Sequence, residues 1–340
     1  MNSITLQLMN RKRYLGTLSI FFVFLVITLI VAPLIGPTSI DISKALSFEN
    51  GIANNIDASI LFVARLPRIL LAALTGGSLA VAGSVLQALM RNDLAAPITL
   101  GVSSGASFGA VLAISLGLSF TALGFSSIPI FAFLGALGAM FLVFGIVRSR
   151  NGELPTSMVL LAGVTVNFFF AAMVMFIHYL SDLTQSFRIV RWLMGGLDIT
   201  DYQTVLSICP LLILGLGVLM YLARDLNLIS TGAHSAMSRG VNVVQVQRMA
   251  MVSAALITGA VVATSGPIGF IGLIVPHIVR LLIGPDQRLL IPASLMFGAT
   301  FLIICDTVAR TILAPTEIPV GVITAMLGGP FFIWLLRHQR

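Results

Sequence analysis

The chain has 340 residues, of which 58% are hydrophobic and only 9% charged, with a net charge of +7. Soluble domains carry about 25% charged residues, so this chain lacks the polar surface of a water-facing fold and reads as an all-α polytopic membrane protein. Its basic residues are scattered between apolar runs and form no stripe, which argues against nucleic acid as a partner.

In chain order, Arg11, Lys12 and Arg13 precede an apolar run at 15–35. That run is too long for a signal-peptide core and no small-residue cleavage site follows, which predicts an uncleaved first span. At about 20 apolar residues per span, further spans are expected at 66–90, 98–116, 128–147, 157–179, 205–222, 249–265, 270–283, 289–308 and 320–336, about ten helices in all. The eighth is short and contains Pro276, so it is expected to be tilted, broken or buried among its neighbours.

Orientation follows from the basic residues. With a cytoplasmic N-terminus, thirteen fall inside: Arg11, Lys12, Arg13, Arg91, Arg148, Arg150, Arg224, Arg239, Arg248, Arg280, Arg288, Arg337 and Arg340. Six fall outside: Lys44, Arg65, Arg68, Arg188, Arg191 and Arg310. The bias predicts two cytoplasmic termini and an even number of spans. The outer arginines cluster, which suits either docking of an acidic partner or anchoring at the lipid interface.

Small residues crowd three spans. Gly76, Gly77, Ala80, Gly83 and Ser84 stack in the second, and Gly101, Gly105 and Gly109 in the third, where they predict close helix packing. Ala72, Ala73, Leu74 and Gly76 of the second span are echoed by Ala254, Ala255, Leu256 and Gly259 of the seventh. Those spans lie five apart and cross in opposite directions, a pattern compatible with an inverted repeat.

Residues 224–248 form the longest polar interruption of the second half, with Arg224, Arg239, Arg248 and Gly240. This segment, between the sixth and seventh spans, is expected in the cytoplasm. It is either a docking surface for a soluble partner that supplies energy or a solvated connector.

Catalytic chemistry is missing from the sequence. Lys12 and Lys44, the two lysines, lie in no phosphate-binding Gly-Lys-Ser/Thr loop, so the chain is not expected to hydrolyse ATP in that way. His178, His234, His277 and His338 show no zinc spacing, and Cys209 and Cys305 read as buried free thiols. Glu153, Glu317 and the nine aspartates lie mostly in loops or at helix ends, and Asp306 and Arg310 are spaced to pair on one helix face near the outer surface. No paired carboxylates are expected deep in the bilayer, which disfavours a secondary transporter driven by an ion gradient. A channel or membrane scaffold is the other rival.

Specific strings go further. They are ARLPR at 64–68, Leu86 and Gln87 followed by RNDLA at 91–95, Pro97, LGVSSGA at 100–106, WLMG at 192–195, GPIGFIGLIVPHIVR at 266–280, Asp306 with Ala309 and Arg310, and EIPVG at 317–321 running to Gly329 and Pro330. In these the chain resembles, over nearly its whole length, the permease subunits of ABC importers for iron–siderophore complexes, haem and vitamin B12. Asp93 departs from the pattern, since such permeases usually carry proline there. The departure is expected to loosen one cytoplasmic turn.

The resemblance implies a single permease domain over 1–340 in the bacterial inner membrane. It implies a second permease copy or paralogue, two ABC ATPase subunits that use ATP-Mg, and a periplasmic solute-binding protein. Arg65, Arg68 and Arg310 would meet acidic residues of the binding protein. Ala233, His234, Ser235, Ala236, Met237, Ser238, Arg239, Gly240 and Val241 would form the cytoplasmic coupling segment that docks on the ATPase. The fifth and tenth spans and residues 188–193 would border the pathway. The cargo implied is a ferric siderophore first, haem next and vitamin B12 third, carried already chelated. The chain would then need no cofactor or metal site of its own.

Overall fold

A computed structural model describes residues 11–46, 55–122, 125–147, 154–198 and 201–338. Arg148, Arg150, Glu153 and Arg340, used in the reading above, lie outside the described residues. The helices in order are α1 (Arg11–Val31), α2 (Ile42–Ala45), α3 (Ile56–Ala58), α4 (Leu66–Met90), α5 (Val102–Ser115), α6 (Ser127–Ile146), α7 (Thr156–Leu180) and α8 (Leu183–Leu193). They continue with α9 (Tyr202–Tyr221), α10 (Ala223–Ser230), α11 (Ala233–Ser238), α12 (Val243–Ser265), α13 (Ile271–Ile283), α14 (Gln287–Thr311) and α15 (Val320–His338). A two-residue ribbon pairs β1 (Thr121–Ala122) with β2 (Phe125–Ser126).

Seven helices among the described residues are long and apolar enough to cross a membrane, and three shorter apolar ones at α5, α13 and α15 bring the set to the ten expected. The sequence reading needs correction in two places. The third expected span is not one helix. A 3-10 turn at Pro97–Leu100 ends at Gly101, whose φ of 77° opens α5 one residue later. Gly101 is therefore a hinge before the helix, and only Gly105 and Gly109 stack along it. Residues 224–248 likewise do not all lie between the two spans. They fold as α10 and α11, and the seventh span already begins at Val243. α13 runs unbroken through Pro276 and is largely buried, which selects burial from the three outcomes expected for it.

Backbone contact at glycine holds the bundle together. A side chain at Gly76 would run into the Gly298 carbonyl of α14, and one at Gly105 into the Gly135 carbonyl of α6. Such close approach is how helices gain packing contact where lipid offers no hydrophobic driving force. α4 and α12, the pair with the shared pattern, are the most buried of the long helices and pack against each other at the centre.

Polar contacts sort to the two ends of the bundle. The Tyr14 hydroxyl donates to the Arg288 carbonyl, Gln247 Oε1 accepts from the Leu154 amide, and Asn227 contacts Asp286. All lie at the end expected to be cytoplasmic. At the other end the Tyr202 hydroxyl donates to the Phe62 carbonyl, the Gly196 amide to Ser265, and the Gly321 amide to Gly195.

Candidate functional site

At the outer end, the chain reverses from α14 into α15 and crosses the start of α4. Pro67 opens α4, and Arg65 and Arg68 flank it, one turn apart. Arg65 Nη1 donates to the Pro33 carbonyl at 2.8 Å, and its Nη2 donates to the Thr38 carbonyl. Its guanidinium lies against Gly36, where a side chain would collide with it. Arg68 turns the other way. Its Nε donates to Asp306 Oδ1 at 3.0 Å, its Nη2 lies 3.0 Å from the same oxygen, and its Nη1 donates to Glu317 Oε2 at 2.6 Å. Arg310 Nε lies 3.0 Å from Asp306 Oδ2, an ion pair without hydrogen-bond alignment.

The structure thus brings the three arginines expected at the outer end together, and the Asp306–Arg310 pair forms as expected. It also places them differently from a docking surface made of three free charges. Arg65 and Arg310 are buried, at 5% and 3% exposure, and both are engaged inside the chain. Of the three, Arg68 borders a cavity of about 490 Å³, which is also lined by Glu317, Asp198 and Arg191. Burial of Arg310 is balanced by Asp306, which is fully enclosed and shared with Arg68, whereas Arg65 is held by the Pro33 and Thr38 carbonyls. Charges so enclosed persist only when paired.

Sequence reasoning missed Glu317 as the second partner of Arg68. It stood in the quoted EIPVG string, but its partner is 249 positions away and no spacing rule reaches that far. The outer segment with Arg188 and Arg191 is helical, α8, capped by Asp182 accepting from the Gln185 amide. Ile189 anchors it in the core, while Arg188 and Arg191 face outward and Arg191 pairs with Asp198 at 2.9 Å.

At the inner end, α11 is closed by two hydrogen bonds, Gly240 amide to Met237 carbonyl and Val241 amide to Ala236 carbonyl. This is the Schellman arrangement, which needs a left-handed residue at Gly240, where φ is 83°. Of the nine residues expected to contact a partner, His234, Ser235, Ser238, Arg239 and Gly240 are exposed. Met237 and Val241 are half-buried, and Ala233 and Ala236 pack into the core, so these two alanines anchor the segment and do not present it.

The segment is also tied to the bundle. Asn227 of α10 donates from Nδ2 to Asp286 Oδ1 at 2.7 Å and accepts the Gln287 amide at 2.8 Å. Asp286 in turn caps α14 through the Arg288 amide. Burial opposes the charge of Asp286, but hydrogen bonds from Arg288 and Asn227 outweigh it and hold the carboxyl below its ordinary range.

Asp93, expected to loosen its turn, is engaged in an ion pair there. Its Oδ1 accepts from Arg280 Nη1, whose Nη2 donates to Gln87 Oε1 at 2.7 Å. The departure from proline thus supplies an ion pair between the turn after α4 and the end of α13. Among the described residues no three His, Cys, Asp or Glu side chains converge as a metal site would require.

Comparison with known proteins fits this geometry. A cobalamin import system permease, BtuC, of Halobacterium salinarum is 44% identical over 280 residues, covering 81% of this chain and 73% of the relative. The hemin transport system permease HmuU of Yersinia pestis is 43% identical over 281 residues, 81% and 82% of the two chains. The Fe(3+)-citrate import system permease YfmD of Bacillus subtilis is 34% identical over 97% of this chain and 98% of its own. A metal-chelate type ABC transporter solved in an inward-facing conformation superposes with a TM-score of 0.82 at 32% identity, over 96% of this chain and 99% of that one. The family model of the FecCD transport family matches residues 24–338, from the first span to the last, and with both polar ends inside that match the chain belongs to the FecCD transport family.

Proposed function

We propose that this chain is the membrane permease of an ATP-driven importer that carries a chelated iron complex, a ferric siderophore or haem, into the cytoplasm. Vitamin B12 is the alternative cargo, and a cobalamin permease among the relatives keeps it in view. The chain is a multi-pass membrane protein of an ABC transporter family and serves transport, not catalysis. ATP-Mg acts in partner ATPase subunits, two per transporter, and a solute-binding protein delivers the cargo from outside.

The observation that carries this reading is the build of α14. Its N-cap is Asp286, which Asn227 ties to α10 beside the exposed α11 turn. Its last turn carries Arg310, in the outer charge cluster. At 1.5 Å per residue its 25 residues span roughly 37 Å, about one membrane thickness. A push on α11 therefore reaches the outer face through one packed helix, a rigid-body route of the kind that switches alternating access. α11 docks on the ATPase through His234, Ser235, Ser238, Arg239 and Gly240, with the other four residues of the segment as its base. The outer cluster receives the binding protein, with Arg68 bordering the outer cavity and Arg65 and Arg310 holding its frame.

A second permease, a copy or a paralogue, covers the exposed apolar faces of α7 and α15, which include Phe168, Phe169, Met175, Phe176, Met326 and Ile333. The test is uptake into proteoliposomes with the cognate ATPase and binding protein, comparing ferric siderophore, haem and vitamin B12. ATP-dependent uptake of one ligand supports the reading and names the cargo. Uptake driven by an ion gradient without ATP would replace it with the secondary-transporter reading.

A further inference from the structure

The outer cluster is occupied from within. Arg68 holds two carboxylates of different kinds. Asp306 is enclosed, makes two contacts to Arg68 and balances Arg310 as well. Removing it would strand a buried cation, so it cannot exchange. Glu317 is 42% exposed and makes one contact, at 2.6 Å from Oε2 to Arg68 Nη1. It rides on 312–317, a stretch exposed at every position, whose foot is pinned separately by the Ile318 amide donating to the Ala309 carbonyl at 3.1 Å. Glu317 can therefore let go of Arg68 without disturbing Asp306 or the start of α15. The pair also opens onto the 490 Å³ cavity that holds the exposed Arg191–Asp198 pair.

We propose that Glu317 is an internal stand-in for a carboxylate of the docking protein: it neutralises Arg68 while the outer face is free and is displaced when an acidic side chain of the partner enters the cavity. This rests on the docking role proposed above for Arg68. The cluster holds three arginines against Asp306 and Glu317. When Glu317 leaves, an incoming carboxylate restores the balance, so the partner surface that fits here carries Asp or Glu. An internal competitor lowers affinity and so eases release once cargo has been delivered.

The test uses the intact permease–ATPase complex in nanodiscs and the binding protein that supports uptake in the reconstitution above. Affinity is measured by biolayer interferometry for wild type, Glu317→Gln and Arg68→Glu. Displacing an exposed ion partner is a small term, so Glu317→Gln is expected to tighten docking about three-fold. Arg68→Glu is expected to weaken docking at least roughly ten-fold. If Arg68→Glu weakens docking but Glu317→Gln leaves it unchanged or weakens it, Glu317 is a strut or a partner contact and the stand-in is refuted alone. If neither variant changes affinity, the docking role of Arg68 fails as well. Should Glu317→Gln not yield folded complex, Glu317→Asp, which draws the carboxylate back by one methylene, is expected to shift affinity in the same direction by a smaller factor.

Discussion

Replacing Asp306 by Asn tests the outer cluster most directly. The carboxylate is fully enclosed and within 3.0 Å of both Arg68 and Arg310. Asparagine keeps the shape and removes the charge. Arg310, only 3% exposed, is left with no anion at contact distance, while Arg68 retains Glu317. Removing one partner of a buried pair costs about 3–5 kcal/mol, or roughly a hundred- to several thousand-fold in the folding equilibrium. In detergent this should appear as an apparent Tm lowered by roughly 5–10 °C, read by size-exclusion after heating. Arg310→Met should cost much less, because Asp306 keeps Arg68. The double variant Asp306→Asn with Arg310→Met should recover most of the loss, because the stranded cation is gone. A double variant as unstable as Asp306→Asn alone would show that the charge balance described here is not what holds this end together.

Other expectations are simpler. Gly105→Ala puts a methyl against the Gly135 carbonyl and 2.6 Å from Ala139 Cβ, and should cost roughly 3 kcal/mol in stability, while Gly138→Ala, with nothing within 4 Å, should be neutral; equal yields of folded protein would overturn the packing argument. Arg239→Glu lies on the exposed coupling turn and should weaken ATPase assembly about ten-fold with Tm unchanged; co-purification at wild-type ratio would count against α11 as the contact. Asp286 has a folded pKa below its unfolded value of about 3.9, so its contribution is present above that pH and lost as pH falls through the folded value. Wild type should therefore exceed Asp286→Asn in thermal stability near pH 6 and lose that lead progressively as pH falls through the folded value, below the ordinary carboxylate range; a lead that is constant with pH would exclude the carboxylate as its source.

Ten spans were legible in the sequence because membrane-length apolar runs need no partner to be recognised. Gly105 and Gly109 were legible as packing residues because only a small side chain repays a four-residue spacing in lipid. The break at Gly101 was not, since a glycine inside an apolar run looks the same in a helix and before one. The internal structure of 224–248 was also hidden: α10 and α11 are too short to hold without the core that Leu226, Ile229 and Ala236 enter.

What the sequence determined alone was the medium, the number of crossings and the charge on each end, all set by composition along the chain. Which charges are free was decided by folding. Arg65 and Arg68 read alike in one dimension, yet Arg65 is enclosed against backbone carbonyls while Arg68 borders a cavity and pairs with Asp306 and Glu317. Asp93 read as a lost proline and became a link to Arg280. Both outcomes depend on contacts between residues nearly 200 positions apart or more, and only packing of the helices can place such residues within reach of one another.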